Sequence, residues 1–344
     1  MEQYQILASP SRAVAQAAAP RFTTSSIIAA IMFCAVLPSA AIAQAQYPER
    51  PIRLVMPYGA GGVADVGMRL LGEKMRVQLK QQIVVENRPG AGAILAAQSV
   101  MSAPADGYTI MLVGNHNAIS PSLFTNLPYD ILADFKPISI TSYFDLLIAT
   151  RPDPQVNTLA AFIDKARRSE QPLNVGTTTP GSTQHLGAIL LAEMASIKLS
   201  VIPYKTSPEI ATALLRGDID AAFDFYSGLS GVISDGKAFV LASAGLERAS
   251  YLKDRPTAIE SGLPGYIVQS WNGLAVLKGT SPDVINTLNR AINDVIGADE
   301  IQQKSRLMGM QMKASTPDAV TARLVEDMAK WGKVIKSNGM PKSN

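Results

Sequence analysis

Residues 52–65, IRLVMPYGAGGVAD, set a five-residue apolar run against a helical pattern, VGMRLLGEKM, with three glycines in the turn between them. A strand that stops at a glycine turn and restarts as a helix commits the chain to α/β architecture, because the helix must return over the sheet to bury its apolar stripe. The turn also meets the G-x-G-x-x-A form at Gly59, Gly61 and Ala64, the fingerprint with which dinucleotide enzymes hold pyrophosphate. Whether it serves a nucleotide depends on where the chain works.

The alternation continues. Apolar runs QIVVEN and YTIMLVG follow, with helical patterns over 63–79 and 91–101, and HNAISPSLF after the third strand reads as a loop. A second series comprises LLIAT, a helix over 159–168, LNVGT, a helix over 183–195, SVIPY, a helix over 209–215, IDAAFDF and AFVLASA. From Pro282 the chain reads as helices over 284–296, 300–308 and 318–335, with GMQMKA as one short strand. Helices without a sheet of their own pack most economically on the first unit. The expected organisation is therefore a discontinuous first domain, residues 47–149 plus 272–344, around an inserted second domain, 150–271. Two crossing connections make a hinge with a ligand cleft between the lobes.

The N-terminus argues for export. No charged residue stands between Arg21 and Glu49, and residues 27–37 are an uninterrupted apolar run of eleven. Eleven residues are too few for a membrane span, which needs about 20. Arg12 and Arg21 before the run, Pro38 after it and the small residues of Ala41-Ile42-Ala43 at its end read as a signal peptide, residues 1–43, cut near Ala43. The product, residues 44–344, is expected to be soluble, periplasmic, monomeric and free of cysteine. Losing Glu2, Arg12 and Arg21 leaves 29 of the chain's 31 basic and 27 of its 28 acidic residues, which offers no electrostatic case for nucleic acid or an anionic membrane. An exported chain also meets little NAD, so the dinucleotide reading loses its substrate.

Catalytic and metal chemistries find few residues. The only histidines are His116 and His185, and without cysteine most zinc sites are excluded. An exported hydrolase using Ser182 and His185 of PGSTQHL is the alternative from another class, although that stretch is not a G-x-S-x-G elbow. Asp218, Asp220 and Asp224 lack the glycine of a calcium loop. Neither a catalytic residue, a metal nor a cofactor is expected.

What the chain does offer is two helix starts at strand ends. YGAGGVAD, with Gly61 and Gly62, precedes the helix at Val63; TTTPGSTQ, with hydroxyls from Thr177, Ser182 and Thr183, precedes the helix at Thr183. A helix N-terminus carries unsatisfied N–H donors and about half a positive charge, so each is an anion site without any arginine. One from each domain can face a single cleft. Tyr58, Asn115, His116, Lys205, Asp224 and Trp271 are the side chains placed to select a ligand there, Trp271 also reading as a hinge or core residue.

YPERPIRLVMPYGAGGVAD, VVENRPGAGA, DGYTIMLV, LPYDILADFKPI, HLGAILLAEMA, IPYK, DRPTAIESGLPGY and SWNGLAVLKGTSPDVI stand in the order and spacing of Bug-type receptors, the TctC-like solute-binding proteins of tripartite tricarboxylate transporters, which this chain resembles from Tyr47 to about Lys336. The resemblance implies an α/β periplasmic binding protein of type II, a Venus flytrap of two lobes closing on a small carboxylate, and membrane permease subunits as partners. It implies that the first binding loop is Tyr58, Gly59, Ala60, Gly61, Gly62 and Asp65, and that the second-lobe helix start is Gly181, Ser182, Thr183 and His185. Asp224 stands where the family commonly has an aspartate, and Arg88 of ENRPGAG looks like a structural ion-pair partner. Departures fall in the expected pocket: Tyr58-Gly59-Ala60 replaces Phe-Pro-Pro or Phe-Ala-Ala, and His116 stands where small residues are common. They bear on which acid is bound, di- or tricarboxylate or aromatic. A receptor that signals without a transporter remains an alternative to uptake.

Overall fold

Every strand-to-helix turn anticipated above forms in the structure, a computed structural model that describes residues 47–343. The signal-peptide segment lies outside the described residues. β1 (Ile52–Met56) runs through the turn into α1 (Val63–Leu79), which buries Met68, Leu71 and Met75 against Ile52, Leu54 and Met56. Those three helix positions recur at the spacing that makes one apolar stripe. β2 (Ile83–Asn87), a single 3-10 turn (Ala91–Ala93), α2 (Ile94–Met101) and β3 (Thr109–Gly114) complete a parallel unit with β1 between β2 and β3.

HNAISPSLF is not a loop. It forms α3 (Asn115–Leu123), Pro121 included. The Asn117 side chain accepts the Gly114 N–H at 3.0 Å, and Ala118 and Ile119 are buried in two different cores. Burial on both sides overrides the turn-like composition.

β4 (Phe135–Thr150) follows, sixteen residues long. Then come α4 (Leu159–Arg168), β5 (Leu173–Thr177), α5 (Thr183–Ala195), β6 (Leu199–Pro203), α6 (Ser207–Arg216), β7 (Ala221–Phe225), α7 (Tyr226–Ser234) and β8 (Phe239–Ser243). β9 (Gln269–Leu277), α8 (Pro282–Ile296), α9 (Asp299–Leu307), β10 (Gln311–Met312) and α10 (Pro317–Ser337) end the described chain. The sheet order is β2-β1-β3-β9-β4-β7-β5-β6, with β8 and β10 also on β4.

β4 changes partners midway. Phe135–Asp145 pairs antiparallel with β9, which in turn borders β3, whereas Leu146–Thr150 pairs with β7 and β8. The chain thus builds two α/β halves that share β4. α10 touches the cores of both: Val320 and Leu324 pack with Val113 and Trp271, while Trp331, Val334 and Ile335 belong to the cluster that holds Leu186, Leu191 and Phe162. No described helix is long and apolar enough to cross a membrane.

Candidate functional site

Gly59–Gly62 are exposed at the end of β1. Gly61 has φ +83°, which only glycine adopts freely, and Gly62 caps α1 with φ −72° and ψ 163° but without a side-chain hydrogen bond. The first intrahelical bond is Val66 N–H to Gly62 O at 3.0 Å, so the N–H groups of Val63, Ala64 and Asp65 precede the ladder. Asp65 is buried under this turn. Its carboxylate accepts from Gly61 N–H at 3.0 Å, Arg69 Nε at 2.9 Å and Asn87 Nδ2 at 2.9 Å. The Arg69 hydrogen bond is the largest cause of its fall to a pKa of about 2. Asn87 also donates to Tyr58 O at 3.0 Å, which ties the turn to the end of β2. Beside it Glu86 is held by Arg53 at 2.8 Å and by Arg88.

The end of β3 supplies the next residues. Tyr58 Oη and His116 Nδ1 are 2.8 Å apart. Burial pushes the imidazole down to about 3 and the phenol up, so both are neutral. Asn115 Nδ2 donates to Thr183 Oγ1 at 3.1 Å and to Gln269 O at 3.0 Å. That hydrogen bond joins the first parallel unit to the start of α5 in the other half.

In the second loop Gly181 has φ +80° and Ser182 caps α5, its hydroxyl accepting the His185 backbone N–H at 3.1 Å and the Thr178 hydroxyl at 2.9 Å. The His185 ring turns away, its Nδ1 accepting Gly181 N–H at 3.4 Å. Ser182 and His185 are therefore neighbours on a helix without a nucleophile–base bond. Thr177 is buried and its hydroxyl donates to Thr178 O at 3.0 Å. Asp224 is buried at the end of β7, with Oδ1 accepting from Gln184 Nε2 at 3.1 Å and Phe225 N–H at 2.8 Å. Burial pushes its carboxyl above the ordinary range. Lys205 stands apart, exposed, with its backbone N–H on Glu209 at 3.0 Å.

The structure thus brings together Tyr58 with His116, Asn115 with Thr183, and Gly61 with Asp65. Trp271 is a core residue, its indole N–H donating to Asp327 at 2.7 Å. Sequence reasoning passed over Asn272, next to that tryptophan, and Ser142 on β4; an asparagine inside the apolar run SWNGLAVL was the available signal. Cavities of about 240 Å3 beside Arg151 and Asp153, and about 370 Å3 beside Arg69 and Arg76, are lined by no residue of the two loops. Among the described residues no group of three or more His, Asp or Glu is placed to hold a metal.

With the geometry in view, the sequence profile of the tripartite tricarboxylate transporter family receptor, TctC, matches residues 68–340. The chain belongs to that family. It is 28% identical to protein BugT of Bordetella pertussis over 295 residues, 85% of this chain and 90% of BugT. Among solved structures, Rpa4515 of R. palustris with adipate has a TM-score of 0.75 at 28% identity, covering 86% of this chain and 100% of that one. MatC of Rhodopseudomonas palustris with bound malate has a TM-score of 0.69 at 26% identity, covering 84% and 100%. This TctC-family chain accordingly has the α/β periplasmic-binding-protein fold. TctC proteins are solute-binding receptors.

Proposed function

We propose that the protein is a periplasmic receptor that captures a small organic acid between its lobes and hands it to the membrane permease of a tripartite tricarboxylate transporter. The observation that carries this reading is the Asn115–Thr183 hydrogen bond at 3.1 Å, which brings the strand end beside the first loop to the helix start of the second. Two helix N-termini in one cleft favour carboxylates, and the structural relatives hold adipate and malate. The lobes are residues 47–149 with 272–344, and 150–271, the hinge lying within a few residues of these bounds, where β4 exchanges β9 for β7 between Asp145 and Leu146 so that Leu146–Ala149 join the second lobe's sheet and Gln269–Trp271 the first's.

In this reading the backbone N–H groups of Gly59, Ala60 and Gly62 and of Thr183 hold carboxylate oxygens, those of Gly61 and Ser182 being donated to Asp65 and to Thr179 O, while Tyr58, Asn115, His116 and Thr177 shape the space between. Asp65 acts by holding Gly61. Asp224 lies toward the ligand's far end, and Lys205, exposed and apart, acts on it only as a nearby positive charge. The Ser182 hydroxyl, engaged as a cap, speaks against the hydrolase alternative. Export with cleavage near Ala43 belongs to this reading.

A thermal-shift screen of residues 44–344 against aliphatic di- and tricarboxylates, aromatic acids and amino acids tests this. A ligand at 100 times its dissociation constant adds about 2.7 kcal/mol, a shift of several degrees. A hit among the acids names the chemical class. Silence across the panel from folded, ligand-free protein overturns the reading.

A further inference from the structure

At the end of β3 a row without apolar side chains crosses the sheet. Gly114 on β3, Asn272 on β9 and Ser142 on β4 stand in register. The neighbouring rung of the same face is apolar, with Leu112 opposite Leu274. Asn272 is 4% exposed and Ser142 fully buried, yet Asn272 Nδ2 and Ser142 Oγ have no hydrogen-bond partner among the described residues. His116 belongs to the same place. Its Nδ1 lies 3.5 Å from where a Gly114 Cβ would stand, and its Nε2 is likewise buried without a partner.

Buried polar atoms are nearly always paired, so orphans at the cross-strand neighbours Asn272 and Ser142, with His116 beside Gly114 at the end of the same row, point to a group that arrives from outside. Their chemistry can be read. The Tyr58 hydroxyl has Nδ1 of His116 as its partner at 2.8 Å. The phenol proton is satisfied only if it is donated to that nitrogen, which places the imidazole proton on Nε2. The row then offers an imidazole N–H, an amide N–H and a hydroxyl that can both give and take. All three are neutral. A carboxylate moved into a buried site of neutral groups loses its hydration without a cation to replace it, and the two helix starts serve it better.

We propose that His116, Asn272 and Ser142 form a subsite for an uncharged oxygen on the ligand's carbon chain, so that the receptor prefers a hydroxy- or keto-carboxylate to the plain acid of equal length. The proposal rests on the receptor reading above and deepens it. These atoms are reached when the lobes part, and the oxygen is enclosed when they close.

The test is calorimetric titration of residues 44–344 with matched sets: succinate and malate, then glutarate, 2-hydroxyglutarate and 2-oxoglutarate. In at least one set the oxygenated acid should bind tenfold or more tightly than the plain one. Ser142→Ala removes a hydroxyl that bonds to nothing in the fold, so it should leave thermal stability intact. It should bring the preference toward parity while affinity for the plain acid stays within about threefold. Equal binding within both sets by the wild type, a preference intact in Ser142→Ala, or tighter binding of tricarballylate than of any hydroxy acid overturns the subsite. Absence of binding by every acid overturns the receptor reading instead.

Discussion

The carboxamide of Asn115 donates to the hydroxyl of Thr183 at 3.1 Å, and through that bond the first residue of α3 in one α/β half touches the first turn of α5 in the other. The same nitrogen reaches Gln269 O at 3.0 Å on β9, so Asn115 sits at the meeting of both halves and a shared strand. Thr183→Val keeps the side-chain shape and removes the acceptor. The cost in stability should be about 0.5–1.5 kcal/mol. Because Asn115 keeps its second acceptor, the larger effect should be on lobe closure, read as an increase in the radius of gyration of the ligand-free protein by small-angle X-ray scattering. Identical scattering from variant and wild type would show that this contact does not hold the lobes.

The first loop offers a clean steric test. Gly61 at φ +83° strains under any substitution, but Gly62 has ordinary angles and a Cβ there would meet nothing nearer than Gly59 O at 4.0 Å. Gly62→Val should therefore lower the melting temperature by only a few degrees while weakening carboxylate binding by tenfold or more, because the branched side chain covers the N–H groups at the start of α1. Binding unchanged in this variant would remove the loop from the site.

His116 is held neutral by burial, which pushes its pKa down from 6.5 to about 3, and His185 moves in the same direction. Unfolding lets both take protons near pH 6.5. A group with a depressed basic pKa leaves the unfolded state binding more protons, so stability falls as pH drops from about 6.5 toward 3, by at most about 1.4 kcal/mol per pH unit for one histidine. Urea unfolding at pH 7, 6 and 5 should show the decline, and His116→Phe should reduce its slope. Asp65, at about 2, acts only at lower pH, where the stability it lends above the ordinary carboxyl range is lost. An unchanged slope in the histidine variant would mean that the ring is not buried in solution.

Asp327 on α10 is buried and accepts both the Trp271 indole N–H and Arg323 Nε at 2.7 Å, while Arg323 also reaches Gln269 O at 3.3 Å. Asp327→Ala would leave a buried N–H and a mostly buried guanidinium without their acceptor. The expected loss is about 3 kcal/mol, measured by denaturant unfolding. Arg323→Lys, which keeps the charge but not the fork, should cost less. Equal stability of Asp327→Ala and wild type would contradict the packing of α10 on β9.

The elements legible in the sequence were those whose signal is local. The residues of β1, the helix over 63–79 that follows it, and the helix over 183–195 appear with the bounds that apolar spacing and glycine turns suggest. The two loops were legible for the same reason: a strand end, a glycine and a helix start are adjacent in the chain. So was the family, from short motifs in a fixed order.

Other features needed the tertiary structure. Phe135–Asp145, with Lys136, Pro137 and four hydroxyl residues, does not read as strand, yet it lies between β9 and β10, and its polar Ser139 is satisfied by Asn293 and Ser315 at 3.0 and 3.1 Å from more than 150 residues away. No window of sequence contains both partners of such a bond. α3 formed from a turn-like stretch because two cores bury its opposite sides. The pairing of Tyr58 with His116, the orphaned row at Asn272 and Ser142, and the contact of Asn115 with Thr183 are likewise products of strand register, which fixes neighbours across the sheet rather than along the chain. Local spacing establishes that this chain builds α/β units with paired helix starts suited to anions; long-range packing selects which side chains stand between them, because burial and cross-strand register set what each polar atom can reach.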